Sequence, residues 1–214
     1  GWETLRWGYN MLARKVKEIE YDCIVVLTPH WQTYIGNHFL GLERFQNISV
    51  DPIFPNLFRF HHDITVDVEL SEAMQRSAEE AGIVSMMMRN PDFRVDYGTI
   101  VSCHMLNPDW DKPIVTISSN RSTHYYSDEV MNEQASALGR AVGKAIEDSG
   151  KKVVLVASHS LSHRHFVTEA PLPEDMSREH IYNHSQYVWD MKVIDMMREG
   201  RMEEVIGILS LIHI

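Results

Sequence analysis

Two histidine-bearing segments carry the chemistry that this sequence could do. Thr28-Pro29-His30-Trp31 follows the run Cys23–Leu27 (CIVVL), and the segment 158–166 (SHSLSHRHF) follows Val153–Ala157 (VVLVA). Both runs are short, apolar and rich in β-branched residues, which is strand composition. In open α/β sheets, function collects just beyond the carboxyl ends of strands. An imidazole there can bind a metal through a neutral ring nitrogen or move a proton near neutral pH. A lone strand-end histidine is otherwise a hydrogen-bonded loop residue, but two such strand ends point to a shared site. No HExxH, CxxC, P-loop, GxGxxG or GxSxG stands in the chain, so zincin, NTPase, dinucleotide and α/β-hydrolase chemistry have no motif behind them. His61-His62 is a tempting pair, yet adjacent side chains of an extended segment face opposite ways and do not reach one metal together. Met86–Met88 and Met196–Met197 read as core packing.

The elements that must position these residues follow from periodicity. Trp2, Leu5, Tyr9, Leu12, Val16 and Ile19 recur at helical spacing. Glu69–Ala81 reads as a helix closed by Gly82, and Val130–Ser149 as one closed by Gly150. Ile114–Ser118 reads as a strand after Pro113, and VVLVA as a buried one. Ser185–Arg198 reads as a last helix with Val188, Met191, Ile194 and Met197 on its apolar face. Residues 28–66 hold most of the loop signals, Thr28-Pro29, Gly36-Asn37, Asp51-Pro52 and Phe54-Pro55-Asn56. Helices alternating with apolar strands predict one three-layer α/β domain, its sheet flanked by helices on both faces.

Composition bounds the rest. The 214 residues suffice for one domain with a sizeable core, and 44% hydrophobic with 23% charged is ordinary globular content. A formal charge of −10 argues against nucleic acid or an anionic membrane surface as partner. No apolar run reaches membrane-spanning length, no secretory signal is visible, and two cysteines make no disulfide framework, so a reducing cytoplasm is the natural compartment. The chain begins at Gly1 directly in a helix pattern and ends on the apolar run ILSLIHI. Residues 1–208 are therefore expected to be a catalytic-domain fragment, and 209–214 a non-native tail.

Four stretches resemble the class III extradiol ring-cleavage dioxygenases, the superfamily of the protocatechuate 4,5-dioxygenase β subunit: TPHW (28–31), SVDPIFPNLFRF (49–60), MMRNPDFRVDYGTI (87–100) and ASHSLSHRHF (157–166), with PEDMS (173–177) following. The second and third lie nearest the branch that opens 2-aminophenol rings. The likeness covers nearly all of residues 2–207, in the family's order. It implies an Fe(II) cofactor held by two histidines and one glutamate, with open positions for substrate and O2. Carried over by motif, His30 matches a metal ligand, His163 the acid–base histidine, and Tyr97 of Asp96-Tyr97-Gly98-Thr99 a tyrosine that hydrogen-bonds the substrate. The other two ligands have no matching motif here. Asn37 of Gly36-Asn37-His38-Phe39 departs from a Gly-His-His-Phe pattern at the pocket rim. His159 and His165 read as flanking residues. The resemblance implies a small aromatic substrate, a catechol or 2-aminophenol opened with O2, and a homo- or hetero-oligomer with a homologous subunit. The rival reading is a non-catalytic partner subunit or an iron-free homologue of the same fold. Retention of both His30 and His163 speaks for the catalytic one.

Overall fold

The computed structural model describes residues 2–51, 54–120, 126–161 and 184–209. Within residues 8–159, one compact unit, the frame is a five-stranded sheet. Its strands are β1 (Cys23–Thr33), β2 (Asn37–Leu40), β5 (Ser85–Met88), β6 (Ile114–Asn120) and β7 (Val153–Ala157), in the order β5-β2-β6-β1-β7. β1 runs parallel to both β6 and β7, and β2 parallel to β5. Only the β2–β6 pairing is antiparallel. A separate hairpin, β3 (Arg44–Val50) with β4 (Arg59–Thr65), pairs antiparallel from Arg44↔Thr65 to Val50↔Arg59.

Alternation along β1 explains the layers. Cys23 and Val25 join Phe39, Val115 and Ile117 under helices α2 (Val68–Glu80) and α4 (Asp128–Ser149). Ile24 and Val26 face the other way, onto α1 (Trp2–Lys17) through Val16 and onto α3 (Tyr97–Leu106) through Ile100, Cys103 and Leu106, with Phe45 and Ile64 of the hairpin alongside. Ile24, Val25, Val26, Phe39, Ile114 and Ile117 are wholly buried, each worth roughly 1.5–3 kcal/mol against exposure. The predicted arrangement of a sheet between helical layers is therefore found.

The helices start and stop where side chains satisfy their ends. The Asp67 carboxylate caps α2 by accepting from the Leu70 N–H at 3.1 Å, and Gly82 follows the helix at φ 79°. Gly150 ends α4 in the left-handed region at φ 67°, where a side chain would be strained. Ser77 Oγ of α2 donates to the Ala141 carbonyl of α4 at 2.8 Å.

Five expectations need correction, four of them in this unit. The first strand does not stop at Leu27 but continues, with a break in register, to Thr33. The segment 28–66 is not mainly loop, since it holds β2, β3 and β4. β5, formed by the methionine run, alternates, so that Met87 and Met88 pack on opposite core clusters while Met86 is exposed. VVLVA is only half-buried, with Leu155 57% exposed, because β7 lies at the sheet's edge.

A second compact unit contains α5 (His184–Arg198) and α6 (Met202–Leu209). Val193, Met196 and Val205 form its small core, with Trp189 and Ile208 against it. The expected apolar face of α5 is thus wrong by one position. Val188 and Met197 are exposed, while Val193 and Met196 are buried.

Candidate active site

The first functional segment is a bulge in β1. Leu27 pairs with Ile117 and Ala157, and pairing with β6 resumes only at Gln32↔Ser119. Pro29 has no N–H to give to a ladder, which suits it to this interruption. The bulge is nonetheless held. Ser119 Oγ donates to the Thr28 carbonyl at 2.8 Å, and the His30 N–H donates to Thr28 Oγ1 at 3.1 Å. Trp31 turns inward, with its ring 4.9 Å from that of Phe93. This alternation leaves His30 on the outer side, toward the carboxyl end of β1, which lies between β6 and β7.

The second segment is the start of α3. Asp96 caps it, accepting from the Thr99 N–H at 3.0 Å and from Thr99 Oγ1 at 2.7 Å. Thr28 Oγ1 donates to the same carboxylate at 3.1 Å. Tyr97, the first residue of the helix, places its ring 4.2 Å from the His30 ring and 6.1 Å from that of Phe58. Two residues 67 positions apart in sequence are thus brought to van der Waals distance. Desolvation raises the Tyr97 phenol above its ordinary pKa, and the nearby Asp51 and Asp96 carboxylates add to this. The phenol is therefore protonated at neutral pH and able to donate a hydrogen bond. Desolvation also raises the Asp96 carboxyl, against the pull of its hydrogen bonds from Thr99 and Thr28.

His30, Asp96 and Tyr97 line a hollow of about 390 Å³ together with Ser49, Asp51 and Arg94. A cavity of roughly 150 Å³ already accommodates a benzene ring, so the hollow has room for one substituted aromatic ring and its polar groups. The Ser49 hydroxyl is buried and has no hydrogen-bond partner among the described residues. The oxygen itself is closed to solvent, so Ser49 borders the hollow without presenting its hydroxyl to it. Sequence reasoning did not single it out. Its only signal was membership of the 49–60 stretch.

Other histidines are placed as follows. His38 is half-buried beside Trp31, with ring centroids 6.3 Å apart, and does not line the hollow. Asn37 is structural, its side-chain amide donating to the Ser118 carbonyl at 2.7 Å. His61 is exposed and His62 buried, so the adjacent pair does face opposite ways. His159 is exposed beyond β7, where the Ser158 N–H donates to the Leu27 carbonyl at 2.9 Å and Ser102 Oγ donates to Ser158 Oγ at 2.9 Å. The end of β7 is thereby tied to β1 and α3, the two elements that carry His30 and Tyr97. His163 and His165 lie outside the described residues. Among the described residues, no three histidine, cysteine, aspartate or glutamate side chains stand together in a metal-binding group. No helix among them is long and apolar enough to cross a membrane.

Comparison with known proteins gives one family. The family described as the catalytic LigB subunit of aromatic ring-opening dioxygenase matches residues 1–211. The chain is 51% identical over 209 residues to the 2-aminophenol 1,6-dioxygenase beta subunit of a Pseudomonas species, covering 98% of the chain and 68% of that protein. It is 25% identical over 203 residues to 3,4-dihydroxyphenylacetate 2,3-dioxygenase of Escherichia coli, covering 94% of the chain and 70% of that protein. It is 27% identical over 175 residues to the 2-aminophenol 1,6-dioxygenase alpha subunit of a Pseudomonas species, covering 81% of the chain and 62% of that protein. The chain therefore spans about two thirds of the length of these relatives.

Proposed function

Because the chain belongs to the family of catalytic LigB subunits of aromatic ring-opening dioxygenases, we propose that the His30–Tyr97 hollow is its ring-cleavage site, taking a 2-aminophenol or catechol. The observation that carries this reading is the meeting of His30 and Tyr97, 4.2 Å apart, in a hollow of ring size toward the carboxyl end of β1. Identity to the beta subunit, 51% against 27% for the alpha subunit, favours a catalytic chain over an iron-free partner.

The family resemblance implies Fe(II), and His30 is a suitable nitrogen donor for it. The Asp96 carboxylate is taken up by Thr28 and Thr99, and one imidazole does not make an iron site. The described residues thus supply one ligand and not a set. The other two belong to parts of the protein outside the described residues.

The chain's own groups have definite tasks. Tyr97, held protonated, donates a hydrogen bond to a substrate oxygen or nitrogen and orients the ring. Phe58 flanks Tyr97 edge-on and supports its ring. His163 would serve as the acid–base residue, taking a proton from a substrate hydroxyl and returning one as the ring opens. The protein works with a homologous alpha-type subunit, in the cytoplasm.

Oxygen uptake tests this directly. Iron-reconstituted protein expressed from its complete gene should consume O2 in step with loss of the aromatic absorbance of 2-aminophenol or catechol. Protein carrying a full complement of iron that leaves both rings intact would refute the assignment.

A further inference from the structure

We infer that Thr28, Asp96 and Gly98 are positioning residues that set the His30 imidazole: Thr28 and Asp96 anchor the bulge that carries it, and Gly98 leaves the space it fills. The inference rests on the ring-cleavage reading for its catalytic consequence, but not for its geometry.

The anchor is a chain of hydrogen bonds through one hydroxyl. Thr28 Oγ1 accepts the His30 N–H at 3.1 Å and donates to Asp96 Oδ2 at 3.1 Å, using both its capacities at once. The other Asp96 oxygen accepts from Thr99 Oγ1 at 2.7 Å, which stands 2.6 Å from Thr116 Oγ1 on β6. Thr116 Oγ1 has one proton to give, either to Thr99 Oγ1 or to the Val26 carbonyl on β1 at 3.3 Å. The network thus runs from the strand that bears His30, through α3, to the neighbouring β6. Thr28, Thr99 and Thr116 are all buried, so these bonds are made in a low-dielectric setting where leaving one unmade is costly. Helix capping by itself accounts for the Thr99 bonds of Asp96. It does not account for the bond to Thr28, 68 positions away.

The clearance is set by a missing side chain. A Cβ built on Gly98 would lie 2.5 Å from Thr28 Oγ1, 2.6 Å from His30 Cδ2 and 3.1 Å from Asp96 Oδ2. The same test at the helical glycines Gly8, Gly139, Gly143 and Gly207 meets nothing within 4 Å. Gly98 is therefore distinguished by what it abuts and not by its backbone. Of the three atoms crowded, Thr28 Oγ1 is buried and bonded twice, whereas His30 is exposed. With ordinary contact beginning near 3.4 Å, the ring must retreat by roughly 1 Å. A displacement of that size in a reacting constellation costs on the order of 10²-fold in rate.

The test uses histidine-labelled full chain and solution NMR. In the wild type, the His30 ring should show a nuclear Overhauser contact with the Tyr97 ring. Gly98→Ala should shift the His30 ring resonances and remove that contact, leave His62 and His104 unmoved, and melt cooperatively but below wild type, because its Cβ also crowds the buried Thr28 Oγ1. Thr28→Val, nearly equal in volume, should also move His30 by removing the hydroxyl, and it serves if Gly98→Ala fails to fold. Unchanged His30 signals and an intact Tyr97 contact in the folded variants overturn the inference, whatever the enzyme does. In iron-reconstituted protein from the complete gene, kcat/KM of Gly98→Ala should fall about 10²-fold, and His30 displacement with wild-type turnover would also overturn it. If the wild type cleaves no ring while His30 moves as described, the functional reading fails and the positioning stands.

Discussion

Removing the Asp67 carboxylate should destabilise the chain by about 2–3 kcal/mol, by two separable routes. Asp67 caps α2 through the Leu70 N–H, and its two oxygens accept from Lys151 Nζ at 2.9 and 2.7 Å. Its own N–H donates to the Ile114 carbonyl of β6 at 3.2 Å. One side chain thus joins the start of α2 to the connection between α4 and β7. Loss of a cap costs roughly 1 kcal/mol. Hydrogen bonds to a charged group contribute about 1.5–3 kcal/mol. We take the lower end because Lys151, 28% exposed beside an 11% exposed Asp67, recovers water when its partner goes. Asp67→Asn keeps an oxygen for the cap and loses the ion pair, so it should cost roughly half as much as Asp67→Ala. Urea unfolding followed by circular dichroism reads both. Two findings would refute the reasoning: Asp67→Ala within about 0.5 kcal/mol of wild type, or Asp67→Asn as costly as Asp67→Ala. A cycle with Lys151→Met should return a coupling of about 1 kcal/mol, and additivity would mean that the pair is solvated.

Three further predictions concern other parts of the molecule. Cys23 and Cys103 are buried, with thiol pKa values pushed up to about 12 by desolvation. Both should resist an aromatic disulfide reagent at pH 8 and react only on unfolding, and fast labelling of the native chain would contradict their placement. Burial holds the His62 pKa below its ordinary value, and neither ring nitrogen has a partner among the described residues. The unfolded chain then binds the extra proton first, so stability should fall as pH drops below about 6.5, with at most roughly 1.4 kcal/mol per pH unit from this residue. The raised Asp96 pKa acts in the opposite sense, so the comparison must be against His62→Phe, whose stability should decline less steeply. The 214-residue chain alone should keep well under one equivalent of Fe(II) through desalting, because the hollow offers one imidazole and the described residues form no metal-binding group. Stoichiometric iron would show a complete ligand set within it.

The central layers were legible in the sequence because their signals are local. CIVVL and VVLVA are strands of nearly pure apolar composition, Ile114–Ser118 is rich in β-branched residues, and α2 and α4 are followed by glycines with positive φ. The hairpin β3–β4 was hidden because its inward residues include Ser49 and His62 as well as Phe45 and Ile64, so the alternation is not an apolar one. β2 and β5 have four residues each and take their stability from neighbours in the sheet. Strand position is likewise not a local property, which is why VVLVA read as buried although it forms an edge. At the candidate site, His30 and Tyr97 were legible from the motifs around them. Thr28, Asp96 and Gly98 were not, because their meaning lies in contacts across about 68 residues of chain.

The most direct test compares two variants of the protein expressed from its complete gene, with iron measured by elemental analysis before any kinetics. His30→Ala should lose iron and activity together. His163→Ala should keep its iron and lose about 10²- to 10⁴-fold in turnover, the usual contribution of a general acid–base group. A His30→Ala protein that retains full iron and opens the ring at the wild-type rate would contradict the account at its centre.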